Sequence, residues 1–354
     1  MQGLQQLSRA QRRFVFLMLF AGALFLLFAL TVLLIANTFN SGRSIPVALI
    51  PEVAVGVLAE LPDGDAYPAA LTLDSIGEVF TGSYATGAVW RVTPGGGISE
   101  LGGTRDAIGS VSALIFAPDG ALLVLDTLDT DPRTVGGHIW RMAGDGAMTE
   151  YGLLDDERGW IAPNDMVFDD QGNLYVTDSG RNEVIRFSAG EDGAQVGQVW
   201  WVPPPPPEDA RASLTGLAFD PVRRAIIVTD PETNRLYRVM LADNTSETLY
   251  DHGARPNPPG FDGAVITPDG ELYVAALGQN GIARFNAETG ALDYIAGLFR
   301  GSSDVAYDAA SDRLIVPNFD QSSLVLPLIT PSLPFTIDYI QFNPEAAPET
   351  AAAP

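Results

Sequence analysis

Residues 162–187 read APNDMVFDDQGNLYVTDSGRNEVIRF, and residues 260–285 read GFDGAVITPDGELYVAALGQNGIARF. Each holds three short apolar runs, split by a glycine-containing turn and then by a short polar loop. Runs this short, rich in Val, Ile, Leu, Tyr and Phe and lacking a helical period, predict β-strands. The same unit recurs along the chain. First strands read LTLD, LIFA, MVFD, LAFD, AVIT and VAYD, and their last residues are spaced 43, 52, 51, 47 and 41 apart. Second strands follow at once as EVFTGS, ALLVLD, NLYVTD, AIIVTD, ELYVAA and RLIVPN. Third strands read AVWRV, HIWRM, EVIRF, RLYRV and GIARF, and SLVLPL is expected to fill that place in the sixth unit. A period of about 40–50 residues with several strands per unit is the pattern of propeller blades.

The fourth, outer strands are expected at ISELGG, MTEYGLL, QVWWVP, SETLYDHG and LDYIAGL. The sixth unit has none of its own. A similar strand stands ahead of the first unit, from Val55 to Gly64 in VGVLAELPDG. Pairing it into the last blade would close the ring and remove a free edge. The expectation is an all-β, six-bladed β-propeller over residues 52–342, preceded by a single N-terminal transmembrane helix.

That helix is read from Phe14 to Ala36, 23 residues without a charge. At 1.5 Å per residue it spans a hydrocarbon core of about 30 Å. It is long for a cleavable signal peptide, and Asn37-Thr38-Phe39-Asn40 is a poor cleavage site, so an uncleaved anchor is expected. Arg9, Arg12 and Arg13 precede it and only Arg43 follows closely, which puts residues 1–13 in the cytoplasm and the propeller outside. Residues 37–51 form a connector. The Pro/Ala/Glu-rich end, 343–354, is expected to be a disordered tail. Phe14, Phe16, Phe20, Phe25 and Phe28, with Gly22 between Ala21 and Ala23, also leave open that the helix docks on a membrane-protein partner.

Composition narrows the chemistry. There is no Cys, hence no disulfide, thiolate metal site or Cys nucleophile. The basic residues are all Arg. Beyond residue 44 there are 16 Arg against 44 Asp and Glu, a formal −28. Such a surface repels nucleic acid. The two histidines, His138 beside a strand and His252 in a loop, do not fall at ring positions. No G-x-S-x-G elbow, H-E-x-x-H or Walker loop is present. The third-strand arginines, Arg91, Arg141, Arg186, Arg238 and Arg284, recur around the ring and are expected to pair with nearby carboxylates. Val325 is expected at that place in the sixth unit. Asp126, Asp129 and Asp131 read as a solvated acidic loop. Pro203–Pro207 reads as a stiff surface segment. Leu333–Phe342 is apolar enough to pack but has no assigned partner.

The two segments quoted first resemble the SMP-30/gluconolactonase/LRE family and the related NHL-repeat propellers, over about residues 52–328. The lactonase branch binds one divalent metal, often Ca²⁺, at the top of its central channel, through residues entering the first strands. The resemblance implies that the matching positions are Ala69, Ser112, Asn164, Thr215, Asp262 and Ser303. Asn164 and Asp262 agree with the family's metal ligands. Ala69 stands where a Glu is expected and Thr215 where an Asn is expected. Asp165 and Asp304 lie one residue off this ring. Ca²⁺ takes six to eight oxygens, so the ring implies a weak site. Two functions stay open: a membrane-anchored binding or scaffold module taking a small molecule or a membrane-protein partner, and a Ca²⁺-dependent lactonase-type hydrolase. The alanine at 69 speaks for the first.

Overall fold

The computed structural model describes residues 8–39, 44–144, 146–190, 196–206, 211–326 and 329–343. The expected tail, from residue 344, and the first seven residues lie outside them. Two compact units result: residues 1–43 with 322–332, and residues 44–321 with 333–354.

The first unit is dominated by the helix Arg9–Phe39, 31 residues long. Its start is a reciprocal cap. The Gln11 amide donates to Ser8 Oγ at 3.3 Å, and the Ser8 amide donates to Gln11 Oε1 at 3.0 Å. By length and composition, Arg9–Leu34 can cross a membrane.

The second unit is a ring of six antiparallel sheets. Blades are numbered here in chain order. Their innermost strands are Pro68–Leu73, Val111–Phe116, Pro163–Phe168, Leu217–Asp220, Phe261–Ile266 and Ala306–Asp308. The second strands of blades 1 to 5 are buried along their whole length. The core therefore lies between neighbouring blades and not within any one of them. Leu123, Leu125 and Ile139 of blade 2, for example, pack on Met166, Leu174, Val176, Ile185 and Phe187 of blade 3. Aspartates close the repeating turns: Asp126, Asp178 and Asp230 end their second strands, and each accepts two or more loop amides.

The ring closes as the sequence suggests. Val53–Glu60 pairs antiparallel with Thr336–Phe342 as the outer strand of blade 6. Two short strands extend other blades: Val47–Ala48 pairs with the outer edge of blade 5, and Leu153–Leu154 runs parallel to the outer strand of blade 3.

Blade 6 corrects one expectation. SLVLPL is not its third strand. Ser322–Val325 is a short helix, and Pro327 and Leu328 lie outside the described residues. A proline cannot donate to a ladder, and this stretch is followed by Pro331 and Pro334. The third strand is Thr336–Phe342, drawn from the segment that had no partner. The residue opposite Ile315 is Tyr339, so Tyr339, and not Val325, takes the place of the recurring arginine. Arg313 sits 5.5 Å over its ring, and the ring covers Gly56, where a Cβ would come within 2.4 Å of the phenol oxygen.

The recurring arginines serve their blades. Arg91 pairs with Glu78, Arg141 with Asp119, Arg238 with Glu247, and Arg284 with Asp293 and Glu271. Arg186 instead lies 6.0 Å over Tyr175. His138 is half exposed against Glu150, and His252 is buried between Tyr250 and the Arg255 carbonyl.

Removing residues 44–60 strips the outer strand from blade 6 and bares the edge Thr336–Phe342. The expected result is loss of the cooperative melt by circular dichroism and self-association on a sizing column. An unchanged melt would show that the ring does not depend on this strand.

Candidate functional site

Six strands begin around one end of the central channel, and their first residues set its chemistry. In blades 1, 2, 3 and 5 the ladder is interrupted there. The pairing jumps from Pro68 to Ala70, Val111 to Ala113, Pro163 to Met166 and Phe261 to Ala264. Each jump is a bulge, which leaves a residue unpaired and re-aims its side chain. In blade 3 the bulge takes in Asn164 and Asp165 together. Strict alternation would send one of these two away from the channel; the bulge lets both line it.

The mouth is a cavity of about 90 Å³. Five of the ring positions line it: Ala69, Ser112, Asn164, Asp262 and Ser303. Thr215 does not. It is buried, and its hydroxyl is engaged with Thr229 Oγ1 at 2.9 Å and the Phe261 carbonyl at 3.4 Å. Asp165 and Asp304 join the lining, with Tyr84, Phe319 and Gln321 above them. The two aromatic rings meet edge to face at 5.3 Å. The ring positions did not point to this wall. Its signal is local: Tyr84 directly follows the second strand of blade 1, Val79–Ser83, and Phe319 stands two residues past that of the adjacent blade 6, Arg313–Pro317.

The mouth is held by hydrogen bonds between neighbouring blades. Ser110 Oγ donates to the Tyr84 carbonyl at 2.7 Å, Ser112 Oγ to Pro163 at 3.4 Å, and Thr177 Oγ1 to Thr215 at 2.5 Å. Thr229 Oγ1 donates to the Asp262 carbonyl at 2.8 Å, the Gly263 amide to Ser303 at 2.9 Å, and Ser303 Oγ to Ala69 at 2.6 Å. Two carboxylates add to this belt. Asp165 accepts its own blade's Met166 amide and, across the seam, the Leu217 amide of blade 4, both at 2.7 Å. Asp304 accepts the Val305 amide at 2.7 Å and the Leu71 amide of blade 1 at 2.8 Å. Gly263 makes room for it, since a Cβ there would lie 2.2 Å from an Asp304 oxygen.

Asp262 differs. Among the described residues neither its carboxylate nor the Asn164 amide forms a side-chain hydrogen bond to protein, although both face the cavity. Three carboxylates thus share a narrow, half-buried mouth that, among the described residues, no Arg or His lines. Burial, reinforced by Asp304, raises Asp165 to about 8. Burial raises Asp304 to about 6 against the pull of its two amide donors. Burial, with Asp304 and Asp165 nearby, holds Asp262 well above the usual carboxylate range.

These donors suit a cation only in part. Asp262 and Asn164 have free oxygens, whereas Asp165 and Asp304 have already spent a lone pair per oxygen on amides. Among the described residues no three His, Cys, Asp or Glu form a metal cage. The set fits a largely hydrated divalent ion bound by Asp262 and Asn164, not an enclosed one.

The model of the SMP-30/gluconolactonase/LRE-like region matches residues 106–298. The chain belongs to this family. Among curated proteins it resembles lactonase drp35 of Staphylococcus epidermidis, 28% identical over 166 residues, which is 44% of this chain and 47% of that protein. Lactonase drp35 of Staphylococcus aureus is 29% identical over 155 residues, 40% and 45% of the two chains. The chain spans about half the length of the curated relatives it matches. Among solved structures, a gluconolactonase from Xanthomonas campestris superposes with a TM-score of 0.60 at 15% identity, covering 85% of this chain and 97% of that one. The calcium-binding protein regucalcin from Agrobacterium tumefaciens gives 0.57 at 16% identity, covering 81% and 94%. At such identities the likeness is one of fold.

The raised Asp304 carboxyl has a stability consequence. Between about pH 4 and pH 6 the folded chain holds a proton that the unfolded chain releases, so this residue lowers stability as pH rises through that window. Asp304→Asn removes the effect. The free energy of unfolding of the variant, relative to the native protein, is expected to move in the variant's favour by about 2 kcal/mol from pH 4 to pH 7. Urea titrations at the two pH values measure it, and a pH-independent difference would contradict the assignment.

Proposed function

We propose that this chain is a membrane-anchored, extracytoplasmic binding propeller whose channel mouth takes a divalent cation through Asp262 and Asn164 and a small ligand above it. The observation that carries this reading is the mouth itself: three mutually repelling carboxylates gathered without a basic partner, with two free oxygen donors aimed into the space between them. A cation supplies the missing charge. The cavity of about 90 Å³ is well below the roughly 300 Å³ of a site that engulfs a drug-sized molecule. A ligand would therefore enter by one polar group, with its apolar part against Tyr84 and Phe319. The charge pattern around the helix supports a cytoplasmic N-terminus and an external propeller.

Lactone hydrolysis is the second reading, favoured by membership of the family and the similarity to lactonase drp35. When bound, a divalent ion polarises a carbonyl and lowers the pKa of a water. Asp165 and Asp304 would stand beside such an ion as the carboxyl groups able to take or give up a proton, their raised values in the metal-free mouth being pulled down by its charge. Ala69 takes a carboxylate out of the ring, which weakens this reading relative to binding.

The two readings separate in one set of measurements on the full chain in detergent. Ca²⁺ at about 10 mM, roughly ten to a hundred times the Kd of a weak site, is expected to raise the melting temperature by several degrees over EDTA, since a ligand of the native state alone stabilises it. Asp262→Ala and Asn164→Ala should abolish the shift. Turnover of a simple lactone that needs both Ca²⁺ and Asp262 would make the protein a hydrolase. A Ca²⁺ shift without turnover supports the binding reading, and no shift in the native protein would refute the cation site.

A further inference from the structure

The propeller builds one small device more than once: a guanidinium that pairs with a carboxylate and lies over an aromatic ring. Arg105 pairs with Asp63 and with Glu100, the latter at 2.7 Å, and sits 5.6 Å from the centre of the Trp90 ring. Arg313 pairs with Asp308 at 3.0 Å and sits 5.5 Å over Tyr339. In both, the acid supplies charge and acceptor oxygens, and the ring supplies its electron-rich face. Where acids gather without a ring, arginine still meets them: Asp156 and Glu183 share Arg158 and Arg181.

The channel mouth holds the same parts without the cation. Asp165, Asp262 and Asp304 line it together with Tyr84 and Phe319. The two rings are inclined at 68°, and an edge-to-face pair leaves ring faces uncovered by the partner. Among the described residues no arginine or histidine lines the cavity, and the chain has no lysine. Asp165 and Asp304 are engaged by backbone amides. Asp262 is not, so its oxygens are the acceptors that an entering donor would meet.

The geometry points to a small organic ammonium as the ligand of the mouth, its N–H groups on Asp262 and its alkyl part against Tyr84 and Phe319. The inference rests on the reading of the mouth as a binding site and adds the charge of the ligand. That charge follows from counting. A divalent ion offsets two of the three carboxylates and leaves one negative charge, which a monocation above the ion matches. A carboxylate or phosphate would find no cationic side chain there and would face the remaining acid. The cavity of about 90 Å³ admits a compact head, with the rest of a longer molecule outside.

Isopropylammonium, 2-propanol and isobutyrate share one alkyl body and differ in the head: a cation, a neutral hydroxyl and an anion. Each is titrated into the full chain in non-ionic detergent at pH 7 and constant ionic strength, with EDTA present, and followed by line broadening of the ligand's NMR signals. The ammonium is expected to bind at least five-fold more tightly than either analogue. Asp262→Asn should remove that preference. Tyr84→Leu should weaken ammonium binding about three- to ten-fold, and Tyr84→Phe, which keeps the ring, should restore it. Phe319→Leu takes the place of Tyr84→Leu if the melting temperature of that variant falls. No ammonium binding, equal affinity for the alcohol, or an affinity that Asp262→Asn leaves unchanged, as attachment to the acidic surface would, overturns the inference. Since EDTA is present throughout, such a failure beside an intact Ca²⁺ shift leaves the divalent site standing. Loss of the Ca²⁺ shift with the ammonium preference kept overturns that site alone.

Discussion

The pairing of Val53–Glu60 with Thr336–Phe342 is the constraint on which the remaining geometry depends. A propeller blade has no core of its own; its apolar residues are buried by the blades on either side. An open ring would leave two blades half covered and two strand edges unpaired. Closure converts six marginal sheets into one continuous interior, and it also fixes the channel. The mouth residues come from separate blades and are held in a circle only because the circle is complete. Asp304 and Ser303 reach across the last seam to Leu71 and Ala69, so the site itself includes part of the latch.

Much of this was legible in the sequence. Five blades could be assigned strand by strand, because each strand has a near copy elsewhere and a shared error in all copies is hard to make. The orphan strand at Val55 was found by the same logic. Blade 6 failed where the copying failed. SLVLPL has the length and apolarity of a strand, whereas Thr336–Phe342 carries Tyr339 in place of the arginine that marked the other third strands. Pattern matching preferred the nearer run, and the prolines around it were the better guide.

The mouth was legible only in part, for two physical reasons. Counting from strand ends gives the positions at which a side chain starts, but the bulges decide where it points. Asn164 and Asp165 are neighbours in sequence and would face opposite ways in a regular strand. Thr215 shows the converse: it stands at a ring position, yet a hydroxyl partner in Thr229 keeps it out of the cavity. The aromatic wall of Tyr84 and Phe319 comes from loops, where no period applies. Carboxyl groups raised by mutual proximity are likewise invisible until the blades are assembled, since Asp165, Asp262 and Asp304 come from three of them.

The latch has a bearing on how the protein is made. Apart from the two-residue strand Val47–Ala48, Val53–Glu60 is the first propeller strand to leave the ribosome, and its partner Thr336–Phe342 is the last among the described residues. Throughout synthesis that strand must wait with its hydrogen-bonding edge open. Long-range pairing of this kind is slow and exposes the chain to wrong partners. Its glycine at position 56, shaped to receive a tyrosine not yet synthesised, gives the waiting strand a mark that few competing edges can satisfy.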